Sequence, residues 1–317
     1  MRLLFVTSTR IGDAVLSTGV LDRLLRKYPG AQVTVAAGPL ALPLFEGVPG
    51  LERLIAIEKR PANLHWPALW AATVRSPWGL AVDLRGSGLA WLIPARRRLI
   101  GPVRRDGLHQ VERLGRVLGS GPVPEPRLWP SPDQEAKAAR LIPDGGPVLA
   151  LGPAANWPGK QWPAERFAEL ARRLTGPEAA LTGARLTVLA ADHERDQILP
   201  VLEAVPAERR IDLIGSDLGT AAACLRRCTL YIGNDSGLMH IAAAAGTPTL
   251  GLFGPTEDRR YRPWGGHTDF VRTPESYETL NARRAPPGAP QPSLMTTLSV
   301  ERVVEAAETL LRRIGGA

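Results

Sequence analysis

Short apolar runs alternate with longer stretches whose apolar residues return every three or four positions, and the alternation repeats along most of the chain. In the first half, "RLLFVT" reads as a buried strand and precedes a helical pattern from about Asp13 to Lys27. "AQVTVAA", a short helix near Ala41–Phe45 and "LERLIAI" come next. A Trp-rich helical stretch from Pro61 to Arg75 leads into the strand "GLAVDL", and "HQVERLGRVLG" has the spacing of an amphipathic helix. The pattern stops at the Pro-rich "GSGPVPEPRLWPSP" (Gly119–Pro132), passes through a helix at "DQEAKAARLI", and resets at "PDGGP" (Pro143–Pro147). From Val148 it restarts: "VLALG", a helix from Ala164, "RLTVLAA", a helix from Glu194, "RIDLIG", a helix through Cys224, "TLYIG", a helix from Ser236 and "TPTLGLFG". Thr273–Ser293 has turn-forming composition and predicts a loop. "LSVERVVEAAETLLRRI" predicts an amphipathic helix over 298–315.

Strands alternating with helices predict parallel sheets covered on both faces. The predicted fold class is therefore α/β, with two Rossmann-like domains, 1–143 and 144–317, facing a central cleft. The final helix could pack back on the first domain. Ligands of such sheets bind at the carboxyl ends of the strands.

Composition changes this picture little and charge changes it more. The 317 residues are 44% hydrophobic and 22% charged, as in ordinary globular proteins. No apolar run reaches the ~18 residues that a membrane-spanning helix needs. The N-terminal apolar run is too short for a signal-peptide core, so the chain is expected to stay in the cytoplasm. Cys224 and Cys228 lie one helical turn apart without further Cys or His nearby, which reads as two buried thiols rather than a metal site. Residues 1–142 hold 20 Lys/Arg against 11 Asp/Glu, whereas 143–317 hold 19 against 20. The basic excess thus belongs to the first half, with a cluster at "ARRRLIGPVRR" (Ala95–Arg105), and suggests an anionic partner.

Candidate chemistry sits in three loops, each at the end of a strand. No G-x-G-x-x-G follows the first strand and no G-x-x-x-x-G-K-[ST] occurs, which counts against dinucleotide and P-loop sites. No D-x-D pair offers to hold a diphosphate through a divalent metal. In "TSTRIGDAVLST", Gly12 permits a turn, and Asp13 is either a helix cap or a carboxylate aimed into the cleft. In "LGPAANWPGKQWPAERF", Lys160 stands between two Trp-Pro pairs that stiffen the loop, where it is either a surface lysine or a phosphate ligand. In "GNDSGLMH", small residues let an anion approach a helix N-terminus. Asp235 reads as the cap of that turn. Ser236 and Gly237 offer N–H groups and a hydroxyl, and His240 lies one turn on, on the same face.

These segments in this order resemble the bacterial glycosyltransferase family 9, the ADP-heptose:lipopolysaccharide heptosyltransferases. "IGDAVLSTGVLDRLLRKYPGAQVTV" looks like its N-terminal signature, "LGPAANWPGKQWPAERFAELA" like the start of its donor domain, and "NDSGLMHIAAAAGTPTLGLFGPTEDRRYRPWG" like its most diagnostic block. The resemblance implies a GT-B architecture and an inverting, metal-independent transfer of heptose from ADP-heptose to a lipopolysaccharide core or related anionic glycolipid. It implies no cofactor beyond that nucleotide sugar, no metal, and work at the cytoplasmic face of the inner membrane as a peripheral protein. Carried over by motif, Asp13 would be the general base. Lys160, Asp235, Ser236, Gly237 and His240 would hold the donor diphosphate, and Asn156, Glu194, Ser216 and Leu218 the nucleoside. Gly12, Arg10, Arg85 and His109 would face the acceptor. Where the family often has hydroxyl residues before the lysine, this chain has Ala155 and Asn156, so only the Asn156 amide can donate there.

Other readings fit the same residues: a GT-B transferase using another nucleotide sugar or a soluble acceptor, a GT-B epimerase, or a catalytically silent nucleotide-binding homologue. A nucleic-acid binder fits less well, because the basic cluster holds no aromatic residue for base stacking. Oligomeric state is left open by the sequence.

Overall fold

The computed structural model describes residues 1–59, 61–101, 107–286 and 288–315, so Arg104 and Arg105 of the basic cluster lie outside the described residues. The chain forms two compact units, Met1–Gln134 and Glu135–Ala317.

Unit 1 is built on five parallel strands: β1 (Arg2–Val6), β2 (Gln32–Ala37), β3 (Leu51–Ala56), β4 (Trp78–Asp83) and β5 (Ala95–Ile100), in the order β3-β2-β1-β4-β5. Its helices are α1 (Ile11–Leu16), α2 (Thr18–Lys27), α3 (His65–Thr73) and α4 (Gln110–Gly115), and α5 (Pro132–Leu141) crosses into unit 2. Leu3–Val6 and Val33–Ala37 are buried throughout. Strands covered on both faces read as continuous apolar runs for that reason.

Three elements differ from the sequence expectation here. The single helix expected from Asp13 to Lys27 is two helices, because the Ser17 and Thr18 hydroxyls donate back to Ala14 O at 2.6 Å and Val15 O at 2.7 Å. Such side chains compete with main-chain bonding and bend helices. The short helix near Ala41–Phe45 is a 3-10 turn, Pro39–Phe45, since Pro39 and Pro43 cannot donate. The first part of the basic cluster is an edge strand, β5, whose Arg96 and Arg97 face water. Charged edges of this kind discourage sheet-to-sheet pairing.

Unit 2 has six parallel strands: β6 (Val148–Gly152), β7 (Arg185–Val188), β8 (Arg210–Asp212), β9 (Leu230–Asn234), β10 (Thr249–Phe253) and β11 (Thr268–Arg272), ordered β11-β10-β9-β6-β7-β8. Around them lie α6 (Ala164–Thr175), α7 (Arg195–Leu202), α8 (Leu218–Leu225), α9 (Gly237–Ala244), α10 (Asp258–Tyr261), α11 (Tyr277–Asn281) and α12 (Val300–Gly315). The core joins Phe167, Leu170 and Leu174 of α6 to Val303, Ala307 and Leu310 of α12 over the sheet. Neither β11 nor α11 is foreseen by the sequence pattern. The segment expected as loop holds α11, whose N-cap Ser276 accepts from Thr279 N–H at 3.2 Å. Cys224 and Cys228 are free and buried.

Both sheets reverse their order once, between β1 and β4 in unit 1 and between β6 and β9 in unit 2. At such switch points the loops diverge and leave a crevice beyond the strand ends.

Candidate functional site

In unit 2 the loops after β6 and β9 flank the switch point. They carry Lys160 and the turn Asp235–Gly237. Asn234 joins the two loops. Its side chain is fully buried, accepts from Trp162 N–H at 3.0 Å and donates to Pro153 O at 2.6 Å. One amide therefore staples both ends of the Lys160 loop to the last residue of β9. Ser293 Oγ donates to Gln161 O at 2.5 Å, and Leu294 N–H donates to Gly159 O at 2.9 Å, so the chain before α12 holds the loop from outside.

Lys160 Nζ lies 3.8 Å from Asp235 Oδ2, and both side chains are mostly buried. The N-cap of α9 is Ser236, in extended geometry and without a side-chain cap bond, and Asp235 beside it pairs with the lysine. That arrangement removes the repulsion a lone carboxylate would exert on an anion there. The first N–H groups of α9 and the Ser236 hydroxyl remain at the strand ends, and the buried Ser236 Oγ has no hydrogen-bond partner. Helix starts of this kind favour anions.

Beneath the turn lies Tyr231, fully buried, with its hydroxyl near Ser236 but outside hydrogen-bond geometry and without another partner. Burial pushes the phenol well above its ordinary range. Gly152 and Gly233, paired across β6 and β9, make room for the ring: a Cβ on them would come within 1.9 Å and 2.4 Å of the Tyr231 hydroxyl oxygen. His240 is buried one turn into α9, its ring 6.5 Å from that of Tyr261 on α10.

The residues expected to hold a nucleoside line the neighbouring loops. Asn156 is exposed after β6, Glu194 follows β7, and Ser216 and Leu218 follow β8. Glu194 Oε2 accepts from Ala191 N–H at 2.9 Å, which closes the turn leading into α7. Gly215 N–H donates to Ala190 O at 3.0 Å and ties the β7 and β8 loops together. Gln197 Nε2 reaches Gln161 Oε1 at 3.2 Å, and Gln161 Nε2 donates to Ala155 O at 2.7 Å, extending the connection to the Lys160 loop.

In unit 1 the loop after β1, which runs into α1, and the loop after β4 flank the switch point; Arg10 ends the first, Gly12 and Asp13 open α1, and Arg85 lies on the second. The N-cap of α1 is Arg10, so Asp13 is the third residue of the helix and its carboxylate is not the cap. Asp13 Oδ1 accepts from Gln110 Nε2 at 3.1 Å, and Gln110 Oε1 in turn accepts from Arg113 Nε at 3.0 Å. His109 is buried as the cap of α4: its Nδ1 accepts from Val111 N–H at 3.2 Å while Glu112 accepts from the His109 N–H at 3.0 Å. It thereby aims Gln110 at Asp13 rather than facing solvent itself. Arg85 lies over the Trp66 ring at 4.8 Å, and its buried Nη1 has no hydrogen-bond partner. Burial lowers the pKa of its guanidinium, against the pull of Asp83. A half-buried cation with a spare donor is a place for an anionic group.

Sequence reasoning missed Asn234, Tyr231 and Gln110. Asn234 sits inside the quoted "GNDSG", but its partners are 72 and 81 residues away, and no local signal points to them. For Tyr231 a signal existed: an aromatic residue between Gly233 and, one strand over, Gly152. Among the described residues no group of three or more His, Cys, Asp or Glu is placed to hold a metal ion.

Comparison with known proteins gives the arrangement a context. The model of "Glycosyltransferase family 9 (heptosyltransferase)" matches residues 108–286. Lipopolysaccharide heptosyltransferase 2 of Salmonella typhimurium is 25% identical, over 99% of this chain and all of that protein. Among solved structures, the glycosyl transferase family 9 protein of Veillonella parvula superposes with a TM-score of 0.78, at 23% identity, over 98% of this chain and 97% of that one. The E. coli heptosyltransferase WaaC with ADP does so at 0.74, with 19% identity, over 98% of this chain and all of that one. The shared fold is GT-B.

Proposed function

The chain belongs to glycosyltransferase family 9, and from that premise we propose that it transfers heptose from ADP-heptose to the core of a lipopolysaccharide. The observation that carries this reading is the built anion site of unit 2. There Lys160 is fixed against Asp235, Asn234 staples the loops, and a buried Ser236 hydroxyl lacks a partner. Full-length similarity to lipopolysaccharide heptosyltransferases and fold similarity to one solved with ADP support the choice of donor.

The chemistry we assign is a single displacement with inversion. The acceptor hydroxyl oxygen attacks the anomeric carbon as the bond to the ADP oxygen breaks, and Asp13 takes the hydroxyl proton. Gln110 orients that carboxylate by donating to its Oδ1. In unit 2 the leaving diphosphate gathers charge, which Lys160, the first N–H groups of α9 and the Ser236 hydroxyl stabilise. A lysine and a helix start can do this without a metal. On the acceptor side, Arg85 would pair with an anionic substituent through its spare Nη1 donor. Arg10 and Gly12 would border the same crevice. Asn156, Glu194, Ser216 and Leu218 would take the nucleoside. The work would be done at the cytoplasmic face of the inner membrane, where a soluble nucleotide sugar can meet a lipid-linked acceptor.

The test is turnover of ADP-heptose with a lipopolysaccharide acceptor lacking heptose, with ADP, UDP and GDP binding measured by calorimetry. The expected result is ADP binding tightest and product only with Asp13 intact: Asp13→Asn lowers turnover by about a hundredfold or more with ADP affinity unchanged. No ADP binding, or full turnover by Asp13→Asn, would refute the assignment.

A further inference from the structure

Away from its switch point, unit 1 carries an apolar surface of defined construction. Helix α3, "HWPALWAAT", contains no Asp, Glu, Lys or Arg. Its inner side buries His65, Leu69 and Thr73, while Pro67, Ala68, Trp70 and Ala71 face outward, with Leu64 just ahead of them. A helix on the surface of a globular unit ordinarily turns a polar face to water. This one does not. Beside it the 3-10 turn Leu89–Trp91 buries Leu89 and Ala90 and projects the next two side chains. Trp91 is 68% exposed and Leu92 67%, against 42% for Trp70 and 55% for Leu64.

The outward placement is held by specific bonds. Trp70 Nε1 donates to Leu92 O at 2.9 Å, joining α3 to the turn. Arg98 Nε and Nη2 donate to Ala90 O at 2.6 Å and Ile93 O at 3.1 Å, and its guanidinium carbon lies 5.6 Å from the centre of the Trp91 ring. The turn is thus fixed from both sides with its largest apolar groups in water.

Charge decides what such a face fits. Between Pro61 and Gly101 the chain has five arginines and one acid, Asp83. Asp83 is fully buried and satisfied by Arg85 N–H, Ser87 N–H and the Ser87 hydroxyl, so it offers nothing at the surface. Arg75 is exposed two residues beyond α3, Arg96 is exposed on the edge strand, and Arg53 reaches Ala72 O at 3.2 Å, whereas Arg97 turns to Tyr28 on the other face. Met1–Gln134 holds 18 Lys/Arg against 10 Asp/Glu, and the remainder 21 against 21, so unit 1 carries the whole positive excess. Two copies meeting through this face would set like charges together. Aromatic side chains among arginines match an anionic bilayer surface, where the rings sit at headgroup depth and guanidinium groups meet phosphates.

We propose that this face of unit 1 docks on an anionic phospholipid surface, with Trp91, Leu92 and Trp70 entering the interface and Arg75 and Arg96 on lipid phosphates. It uses no residue of the donor site and stands independently of the heptosyl-transfer reading. The test is flotation of the full chain with phosphatidylcholine vesicles, with and without phosphatidylglycerol. The vesicles contain no glycolipid, so acceptor recognition plays no part. Binding is expected only to the phosphatidylglycerol vesicles and should weaken as salt rises. Trp91→Ser/Leu92→Ser should lower the partition constant by about tenfold or more, with thermal unfolding unchanged because both side chains are exposed. Arg75→Gln/Arg96→Gln should lower it by about fivefold per arginine. The proposal is overturned if the parent does not float at low salt, if it floats equally with neutral vesicles, or if the double Ser variant floats like the parent. It is likewise overturned if that variant only converts a dimer to a monomer in light scattering while floating unchanged.

Discussion

Asn234→Ala tests the central claim about the donor site, that one buried amide holds both ends of the Lys160 loop. The substitution removes the acceptor of Trp162 N–H and the donor to Pro153 O. Both backbone groups belong to a buried segment, so each loses about 1–3 kcal/mol of pairing. Unfolding of a two-unit chain need not be two-state, so a local probe is better than a melting point. Native-state hydrogen exchange at the Trp162 amide reads the first loss directly: its protection should fall between about fivefold and 150-fold. Asn234→Asp separates the two bonds. It keeps an oxygen for Trp162 N–H but sets a carboxylate against Pro153 O, at a contact that is 2.6 Å in the parent. Protection at Trp162 should then survive while the Pro153 end loosens, and ADP affinity should fall in both variants because Lys160 is less well placed. Equal Trp162 protection in parent and Ala variant would refute the staple. Equal loss in the Asp and Ala variants would refute the division into two bonds.

Three further outcomes follow from geometry already described. Lys160→Ala should weaken ADP binding by about tenfold or more, and Lys160→Ala/Asp235→Asn should regain part of it, since the second change removes a negative charge that the lysine no longer offsets; calorimetry that finds simple additivity would deny the pairing. Gly152→Ala places a methyl 1.9 Å from the Tyr231 hydroxyl oxygen and should destabilise unit 2 by about 1–3 kcal/mol, with partial recovery in Gly152→Ala/Tyr231→Val, both measured by denaturant titration. Burial pushes the Cys224 thiol from 9.0 to about 11 and raises Cys228 as well. Neither should react with iodoacetamide at neutral pH until the chain is unfolded. Because the folded values are the higher ones, the folded state holds these protons more tightly. Their contribution is intact below pH 9.0 and is lost as pH climbs toward about 11, visible as a falling denaturant midpoint over that window.

Much of this architecture was legible in the sequence because its signals are local. Buried parallel strands announce themselves as unbroken apolar runs, and the loops of interest sit directly after "LLFV", "VLALG" and "LYIG". Lys160, Asp235, Ser236 and Gly237 could be nominated from their positions alone. What escaped depends on distance or on exposure. β5 hid because an edge strand with arginines facing water loses its alternation. The break between α1 and α2 hid because serine and threonine are tolerated in helices until their hydroxyls turn back to the main chain. Spacing could not separate a capping Asp13 from one inside the first turn, since Arg10 caps α1 without a side-chain bond. Gln110 was invisible as a partner of Asp13 across 97 residues.

The packing of α12 also sets an order of assembly. A ribosome delivers the chain from its N-terminus, so the five strands of unit 1 can pair well before synthesis reaches α12. The core of unit 2 needs Val303, Ala307 and Leu310 from that helix to cover α6 and the sheet. At ~5–20 residues per second, the span from Gln134 to Val303 takes roughly ten to thirty seconds to make. During that interval Phe167, Leu170 and Leu174 of the nascent second unit lack the cover that α12 later gives them. Chaperone dependence in the cell should therefore concentrate on unit 2, while the basic unit 1 emerges already folded.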